Sequence, residues 1–414
     1  MTASVTLPSP RRAAVAFVLI TVFLDVLAIG IVIPVLPKLV EQFRGGDTAA
    51  AAMVFGAMSA AWALMQFVFS PILGALSDRF GRRPVILISN VGLGLDYILM
   101  ALAPNLAWLF VGRILSGIAA ATFSTATAYI ADVTPAEKRA AAFGLIGAAF
   151  GVGFIIGPAV GGLLGASDPR LPFWFAAALS LANALYGYFV LPESLAPENR
   201  SAFTWRRANP FGALKMLAGD PVLFGLSSAL FLHHLAHAVL PALAVLFMGY
   251  RFGFGPREVG LVLAGVGVAS IIVQGGLTGP IVKRLGARRA MIAGLAAGAV
   301  GLTIYGLATT PLMFCLGIPI AALWGIATSS AQQIMTARVG VDAQGQLQGA
   351  GSSLMAIGNL IGPVLFTQVF AASITPGARL PFPGTGFVLA GLLLAAAAML
   401  AWRTTRGMQN DHNA

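Results

Sequence analysis

Long apolar runs alternate with short polar segments along almost the whole chain. Breaking the sequence wherever charges cluster leaves apolar stretches near residues 13–37, 50–76, 85–103, 106–130, 140–165, 172–191, 222–248, 258–282, 290–309, 312–336, 345–371 and 384–403. Each is near or above the roughly 20 residues that cross about 30 Å of hydrocarbon. Lipid cannot satisfy open backbone groups, so such spans must be helical. The pattern predicts an all-α membrane protein with twelve transmembrane helices, numbered here as spans 1 to 12. Span 1 follows Arg11 and Arg12, the layout of an export signal, but Asp25 interrupts it and no A-x-A-like cleavage site follows, so it is read as a retained span.

The longest polar stretch, 192–221, carries Glu193, Glu198, Arg200, Arg206 and Arg207 and reads as a cytoplasmic linker. It divides the chain into an N-terminal six-helix bundle, 1–191, and a C-terminal one, 222–414. A single offset of 205 residues aligns Gly74, Arg79, Gly81 and Arg83 with Gly279, Arg284, Gly286 and Arg288. Without a gap it also aligns Gly144, Gly153, Gly157 and Pro158 with Gly349, Gly358, Gly362 and Pro363. Six spans is an even number, so the two bundles share an orientation and are pseudo-symmetric about an axis along the membrane normal.

Composition agrees with a bilayer as solvent: of 414 residues, 58% are hydrophobic and 9% charged, against about 25% charged in soluble domains. Soluble enzymes, disordered chains and nucleic-acid-binding domains are excluded, the last because the basic residues lie singly and in pairs between apolar runs. They act as topology signals. With both termini in the cytoplasm, the outer side receives only Lys38, Arg44, Arg170, Arg251, Arg257 and Arg379, and Arg113 lies within a span; every other Lys and Arg falls inside. The single cysteine, Cys315, excludes a disulfide framework or a Cys-based metal site. No cofactor is expected.

The membrane charges break the repeat: at the 205-residue offset Asp25 meets Leu230, Asp96 meets Gly301 and Arg113 meets Ile318. A carboxylate within a span costs about 2.5–3.5 kcal/mol on insertion scales, so it marks a function or an obligatory partner. Asp25, halfway along span 1, is the first candidate for a proton carrier; the other reading is a permanently ionised aspartate held by Arg or backbone donors to fix helix packing. At about 1.5 Å per residue, Asp96 lies about 12 Å from the outer end of span 3 and Arg113 about 10 Å from that of span 4. An Asp96–Arg113 ion pair, an Asp96 that faces cargo and an Arg113 that approaches Asp25 all remain open.

In span 7, His233 and His237 share a helix face, a spacing compatible with metal ligation, with His234 beside them. No third ligand is near in sequence, and lining a cavity, relaying protons or packing are the alternatives. Gln274, Gln332, Gln333, Asn359 and Gln368 either meet cargo or bond between helices. The series Gly147, Gly151, Gly153, Gly157 and Gly161 with Pro158 in span 5 predicts a tight, bent helix interface.

The segment Gly74-Ala75-Leu76-Ser77-Asp78-Arg79-Phe80-Gly81-Arg82-Arg83-Pro84 between spans 2 and 3 resembles the hallmark loop of the major facilitator superfamily. In such a loop Gly81 permits a sharp turn, Asp78 caps or charge-pairs at a helix end, and Arg79, Arg82 and Arg83 latch neighbouring helices. Arg113 with Gly117 is similar to the superfamily's span-4 motif, associated with proton coupling, and Gly153, Gly157, Pro158 and Gly161 to its span-5 antiporter motif. A closer resemblance, to the tetracycline efflux branch, rests on Leu24-Asp25 with Pro34-Val35-Leu36-Pro37, Asp96-Tyr97, Ala128-Tyr129-Ile130-Ala131-Asp132 and Leu191-Pro192-Glu193-Ser194. Gln274 and Gln344-Gly345-Gln346-Leu347-Gln348-Gly349 continue it in the second half.

The resemblance implies the major facilitator fold, an inner-membrane location and exchange of a drug, such as metal-chelated tetracycline, for protons, with Asp25, Asp78 and Asp96 important. A monomer that binds a small amphiphilic substrate is expected. The branch's span-8 histidine and span-9 acid fall on Ser270 and Gly298 here, a departure in the second half.

Overall fold

The computed structural model describes residues 9–120, 122–201, 217, 219–340 and 343–407. Among them the regular structure is helical, and eleven segments are long and apolar enough to cross a membrane. One of these, Pro256–Leu307, is 52 residues long and holds spans 8 and 9, so all twelve predicted crossings are accounted for. The join is Gly286, whose φ of 75° and ψ of 153° break the helix. Gly81, its repeat counterpart between spans 2 and 3, has a φ of 106°. A Cβ is penalised in that region, which is why glycine stands at both turns.

The repeat also recurs in the helix interruptions. Span 1 is Ser9–Val32 followed by Leu36–Phe43, and span 7 is Pro221–His237 followed by Val239–Phe252. Span 4 is Leu106–Ala119 followed by Thr122–Val133, and span 10 is Pro311–Ala322 followed by Gly325–Thr336. At the 205-residue offset the breaks fall within about two residues of one another. Span 8 contains a further irregularity, a π-helical turn over Ile272–Leu277.

The chain forms two compact units, Met1–Ile33 with Met65–Asn209 and Pro34–Leu64 with Pro210–Ala414. In the first, span 1 packs on spans 5 (Ala136–Ser167) and 6 (Leu171–Val190), and span 3 (Arg82–Leu102) on spans 4 and 6. In the second, span 7 packs on spans 11 (Gln344–Ile374) and 12 (Thr385–Thr404), and span 9 on spans 10 and 12, the same neighbours after the offset. Residues 34–64, which the sequence places with the first bundle, are counted with the second unit: Gly56 of span 2 sits where a Cβ would meet the Pro363 carbonyl and Thr367 Cβ of span 11 at 3.1 Å each. The linker residues Arg206, Arg207 and Lys215 lie outside the described residues.

Small residues set the closest approaches. A Cβ at Gly153 would come within 2.7 Å of Val26 Cγ1, one at Gly157 within 2.7 Å of Gly30 Cα, and one at Gly161 would collide with the Ile31 carbonyl. Gly358 and Gly362 play the same part between spans 11 and 7, against His234 and Leu235. Pro158 and Pro363 lie inside these helices.

The second unit also buries an aromatic cluster. Tyr305 stacks on Phe314 at 4.3 Å, and Phe247 meets Phe387 edge-on at 5.1 Å. Phe387 is fully buried, so Phe387→Ala is expected to cost about 3–5 kcal/mol. The purified variant's thermal midpoint should fall accordingly; an unchanged midpoint would contradict the packing.

Candidate functional site

Asp25 is held by amides. Asn183 of span 6 donates from Nδ2 to Asp25 Oδ1 at 2.8 Å and to the Thr21 carbonyl at 3.1 Å. Asn90 of span 3, with its amide oriented to satisfy its neighbours, donates to both carboxylate oxygens at 3.1 and 3.2 Å and accepts from Asn183 at 3.0 Å. Asp25 is 7% exposed and borders a cavity of about 40 Å³ lined by Val22, Val26, Ile29, Leu93, Ala120 and Phe150. That is room for a few waters, each needing about 10–15 Å³ on the same measure. Among the described residues its carboxylate takes no bond from a guanidinium. Three spans therefore converge on one carboxyl whose direct partners are neutral.

Neither asparagine stands out in the sequence motifs, yet a signal was available. At the repeat offset Asn90 meets Leu295 and Asn183 meets Val388, so both are polar residues of apolar spans confined to the first half, as Asp25 is.

Asp96 and Arg113 lie close enough to interact. Asp96 is 1% exposed and accepts from Ser116 Oγ at 2.8 Å across the span 3–span 4 contact. A Cβ at Gly112 would lie 2.9 Å from Asp96 Oδ1, so glycine there admits the carboxylate. Arg113 interacts electrostatically with Asp96. Asp96 is thus enclosed between two helices.

The loop between spans 2 and 3 is a charge latch centred on Arg82. Its guanidinium reaches Asp78 Oδ1 at 2.5 Å, Ser77 Oγ at 2.6 Å and, from Nε, Asp132 Oδ2 at 3.1 Å. Glu193 caps the start of span 3, accepting from the Arg82 and Arg83 backbone N–H groups at 2.8 and 3.3 Å and from Ser194 and Leu195 at 3.0 Å each. A Cβ on Gly81 would collide with Glu193, a second reason for glycine at the turn. Arg83 donates to the Tyr188 carbonyl, and Arg79 lies over the Phe80 ring at 5.1 Å. Around Gly74 there is open space. At the offset Asp78 becomes Lys283 and Arg82 becomes Ala287, so the second half lacks this latch. Arg82→Ala takes the guanidinium from Asp78 and leaves Asp132 with the Ser194 hydroxyl, and it is expected to cost about 1–2 kcal/mol, with Arg82→Lys recovering part. Thermal unfolding of the purified proteins reads this; no difference between parent and Arg82→Ala would contradict it.

In the second unit the span-7 histidines gather around Trp324 at the break in span 10. Trp324 Nε1 donates to His233 Nδ1 at 2.6 Å. His234 meets His233 edge-on at 5.0 Å, and the His237 and Trp324 rings lie 5.4 Å apart. His233 is buried, His234 half-buried and His237 exposed. Among the described residues no group of three His, Cys, Asp or Glu is placed to hold a metal ion. Gln274 lies exposed on the π-helical turn beside Gly325, Gln332 is half-buried with Nε2 unbonded among the described residues, and Asn359 is half-buried. Gly298 is packed against Trp324: a Cβ there would lie 2.7 Å from Trp324 Cγ. Trp324 itself was missed by sequence reasoning, which treated it as one more apolar residue.

Comparison with known proteins agrees with this architecture. The family model described as Major Facilitator Superfamily matches residues 18–363 and 226–413. The chain is 41% identical over 360 residues to the tetracycline resistance protein, class C, of Escherichia coli, covering 87% of this chain and 90% of that protein. It is 29% identical to multidrug resistance protein 2 of Bacillus subtilis (strain 168), covering 95% and 96%. Among solved structures, the human organic anion transporter MFSD10 superposes with a TM-score of 0.70 at 23% identity, covering 95% of this chain and all of that one, a likeness of fold. With twelve crossings, a repeated six-span plan and this match along nearly its whole length, the chain is a multi-pass membrane protein that belongs to the Major Facilitator Superfamily.

Proposed function

We propose that this protein is a proton-coupled exporter of amphiphilic drugs, tetracycline among them, that works by alternating access across the cell membrane as a monomer with both termini in the cytoplasm. The observation that carries the reading is Asp25: a carboxyl bordering an apolar cavity and bonded, among the described residues, to two neutral amides. Such a group is costly to leave ionised and cheap to neutralise, so a proton binds when the site opens to one side and leaves when it opens to the other. Coupling requires that cargo and proton bias one equilibrium in opposite senses, because a ligand with equal affinity for both states shifts nothing. Asp96 and Arg113 tune the first bundle (residues 1–191) from inside, the Arg82 latch stabilises one of the two states, and Gly153, Gly157, Pro158 and Gly161 keep span 5 tight against span 1.

The tetracycline resistance protein of Escherichia coli supports the cargo class and the multidrug resistance protein of Bacillus subtilis a broader range of cargo on the same scaffold. The test is accumulation of drug in proteoliposomes under an imposed pH gradient, with a panel that includes tetracycline. Gradient-driven accumulation of tetracycline is expected. Equal distribution of every drug in the panel, with and without the gradient, would overturn the reading.

A further inference from the structure

The end of the second unit where span 12 finishes inverts the charge of its repeat counterpart. At the 205-residue offset Asp78, Asp132, Glu193 and Glu198 of the first unit become Lys283, Ala337, Ala398 and Arg403. The first unit sets its acids against Arg82 and the start of span 3, so its cations are answered from within. In the second unit Lys283, Arg284, Arg289, Arg403 and Arg406 are exposed, and among the described residues none of them forms an ion pair. Of that unit's described acids, Glu41, Asp47 and Glu258 lie at the opposite end, and Asp220 is engaged by Arg338 at 3.3 Å and by the first turn of span 7. Asp342 and Asp411 lie outside the described residues.

These cations are gathered onto a surface with an apolar path leading to it. Arg288 donates from Nε to Thr405 Oγ1 at 3.0 Å, which ties the turn between spans 8 and 9 to the end of span 12. Thr405 is fully buried, whereas Arg289 and Arg406, each one residue further on, are exposed. The Arg406 guanidinium lies over the Trp402 ring at 5.2 Å. Trp402 is itself exposed, as are Leu392 and Met399, and helical spacing puts all three on one face of span 12 with Arg403 and Arg406. Leu285, exposed at the turn beside Arg284, adds a further apolar side chain at this end.

A topology signal needs cations alone. Here they come with an exposed tryptophan, a residue that favours the headgroup level of a bilayer, and with an apolar stripe that runs into them. We propose that Arg289, Arg403, Arg406 and Trp402 form a binding site for an anionic phospholipid, with the phosphate held by the guanidinium groups and the acyl chains laid along the exposed face of span 12. Guanidinium forks match phosphate oxygens, and each cation beside an anionic lipid is worth about fivefold in binding. Lys283 and Arg284 add attraction from the turn. On the orientation proposed above the lipid belongs to the cytoplasmic leaflet. The site uses neither cargo nor proton, so it stands or falls apart from the exporter reading.

The test is lipid retention by the purified protein in detergent, counted by native mass spectrometry after addition of phosphatidylglycerol or phosphatidylcholine at equal mole fraction. The parent is expected to retain phosphatidylglycerol at least about fivefold better. Arg403→Gln combined with Arg406→Gln should lower phosphatidylglycerol retention about twentyfold, the product of two cations, and leave phosphatidylcholine unchanged, which also shows that the variant is folded. Arg403→Lys combined with Arg406→Lys keeps both charges and should recover most of the loss. Trp402→Ala should cost about threefold, the scale of an exposed cation–π contact. Arg257→Gln combined with Arg379→Gln removes two exposed cations from the opposite end and should retain phosphatidylglycerol within about twofold of the parent. Equal retention of the two lipids by the parent, parental retention by the Arg403 and Arg406 glutamine pair, or an equal loss in the opposite-end pair would overturn the proposal. So would displacement of the lipid by equimolar inorganic phosphate, which would mark a site for free anions.

Discussion

Asp25→Asn should abolish uphill transport while leaving a folded protein. The asparagine amide still bonds Asn90 and Asn183, so the polar cluster of spans 1, 3 and 6 keeps its partners, but the side chain has no proton to exchange. The cost of an ion at this depth, about 2.5–3.5 kcal/mol, is what protonation relieves, and forfeiting it corresponds to about a hundredfold change in the gradient-driven rate. Drug accumulation in proteoliposomes under a pH gradient measures the loss, and exchange of labelled for unlabelled drug without a gradient shows whether the protein still cycles. Exchange should persist in Asp25→Asn. If accumulation survives as well, the carboxyl does not couple the proton.

The second large effect is expected at Gly157. A Cβ there would sit 2.7 Å from Gly30 Cα, 3.0 Å from the Gly30 carbonyl carbon and 3.1 Å from the Leu27 oxygen, all backbone atoms that cannot swing aside. Gly157→Leu must push span 5 away from span 1 and with it Val26 and Asp25 beside the cavity. Overpacking of this kind costs at least about 1–3 kcal/mol, an activity loss of about tenfold or more. Gly147 belongs to the same glycine series but has nothing within 4 Å of its Cβ position. Gly147→Ala should therefore transport within about twofold of the parent, as substitutions in open space do. Equal effects of the two substitutions in the uptake assay would show that the series works by composition and not by the span 1–span 5 contact.

The sequence carried the crossings and the repeat to different depths of detail. Apolar length located every span, because lipid enforces helical crossings of a fixed minimum size. The 205-residue offset anticipated more than motif positions: Gly81 and Gly286 share a left-handed turn, and Pro158 and Pro363 lie in helices packed the same way. Depth arithmetic put Asp96 and Arg113 at similar depth and left their pairing open, and it gave no hint of the Ser116 bond to Asp96. Rotation about each helix axis was not legible, since a span that is apolar on all sides has little preferred face. For that reason the sequence named Asp25 without Asn90 and Asn183, and the histidines without Trp324. Nor did it show that residues 34–64 join the second unit, which depends on how closely Gly56 approaches Pro363 and Thr367, a long-range contact with no local signature. The Glu193 cap has the same character, joining backbone groups more than 100 residues apart in sequence.

The departure at Ser270 and Gly298 becomes intelligible in the second unit. The space at Gly298 is filled by the Trp324 indole, which in turn fixes His233. With glycine at 298, the Trp324 ring packs directly against the span-9 backbone, an uncharged contact.

The most direct test of proton exchange at Asp25 is proton release on cargo binding. Tetracycline with magnesium, added to the purified protein in weakly buffered solution with a pH-sensitive dye, should release protons in proportion to the cargo bound, and the Asp25→Asn protein should release none while still binding. Proton release by Asp25→Asn equal to that of the parent would place the exchangeable proton elsewhere and contradict the account.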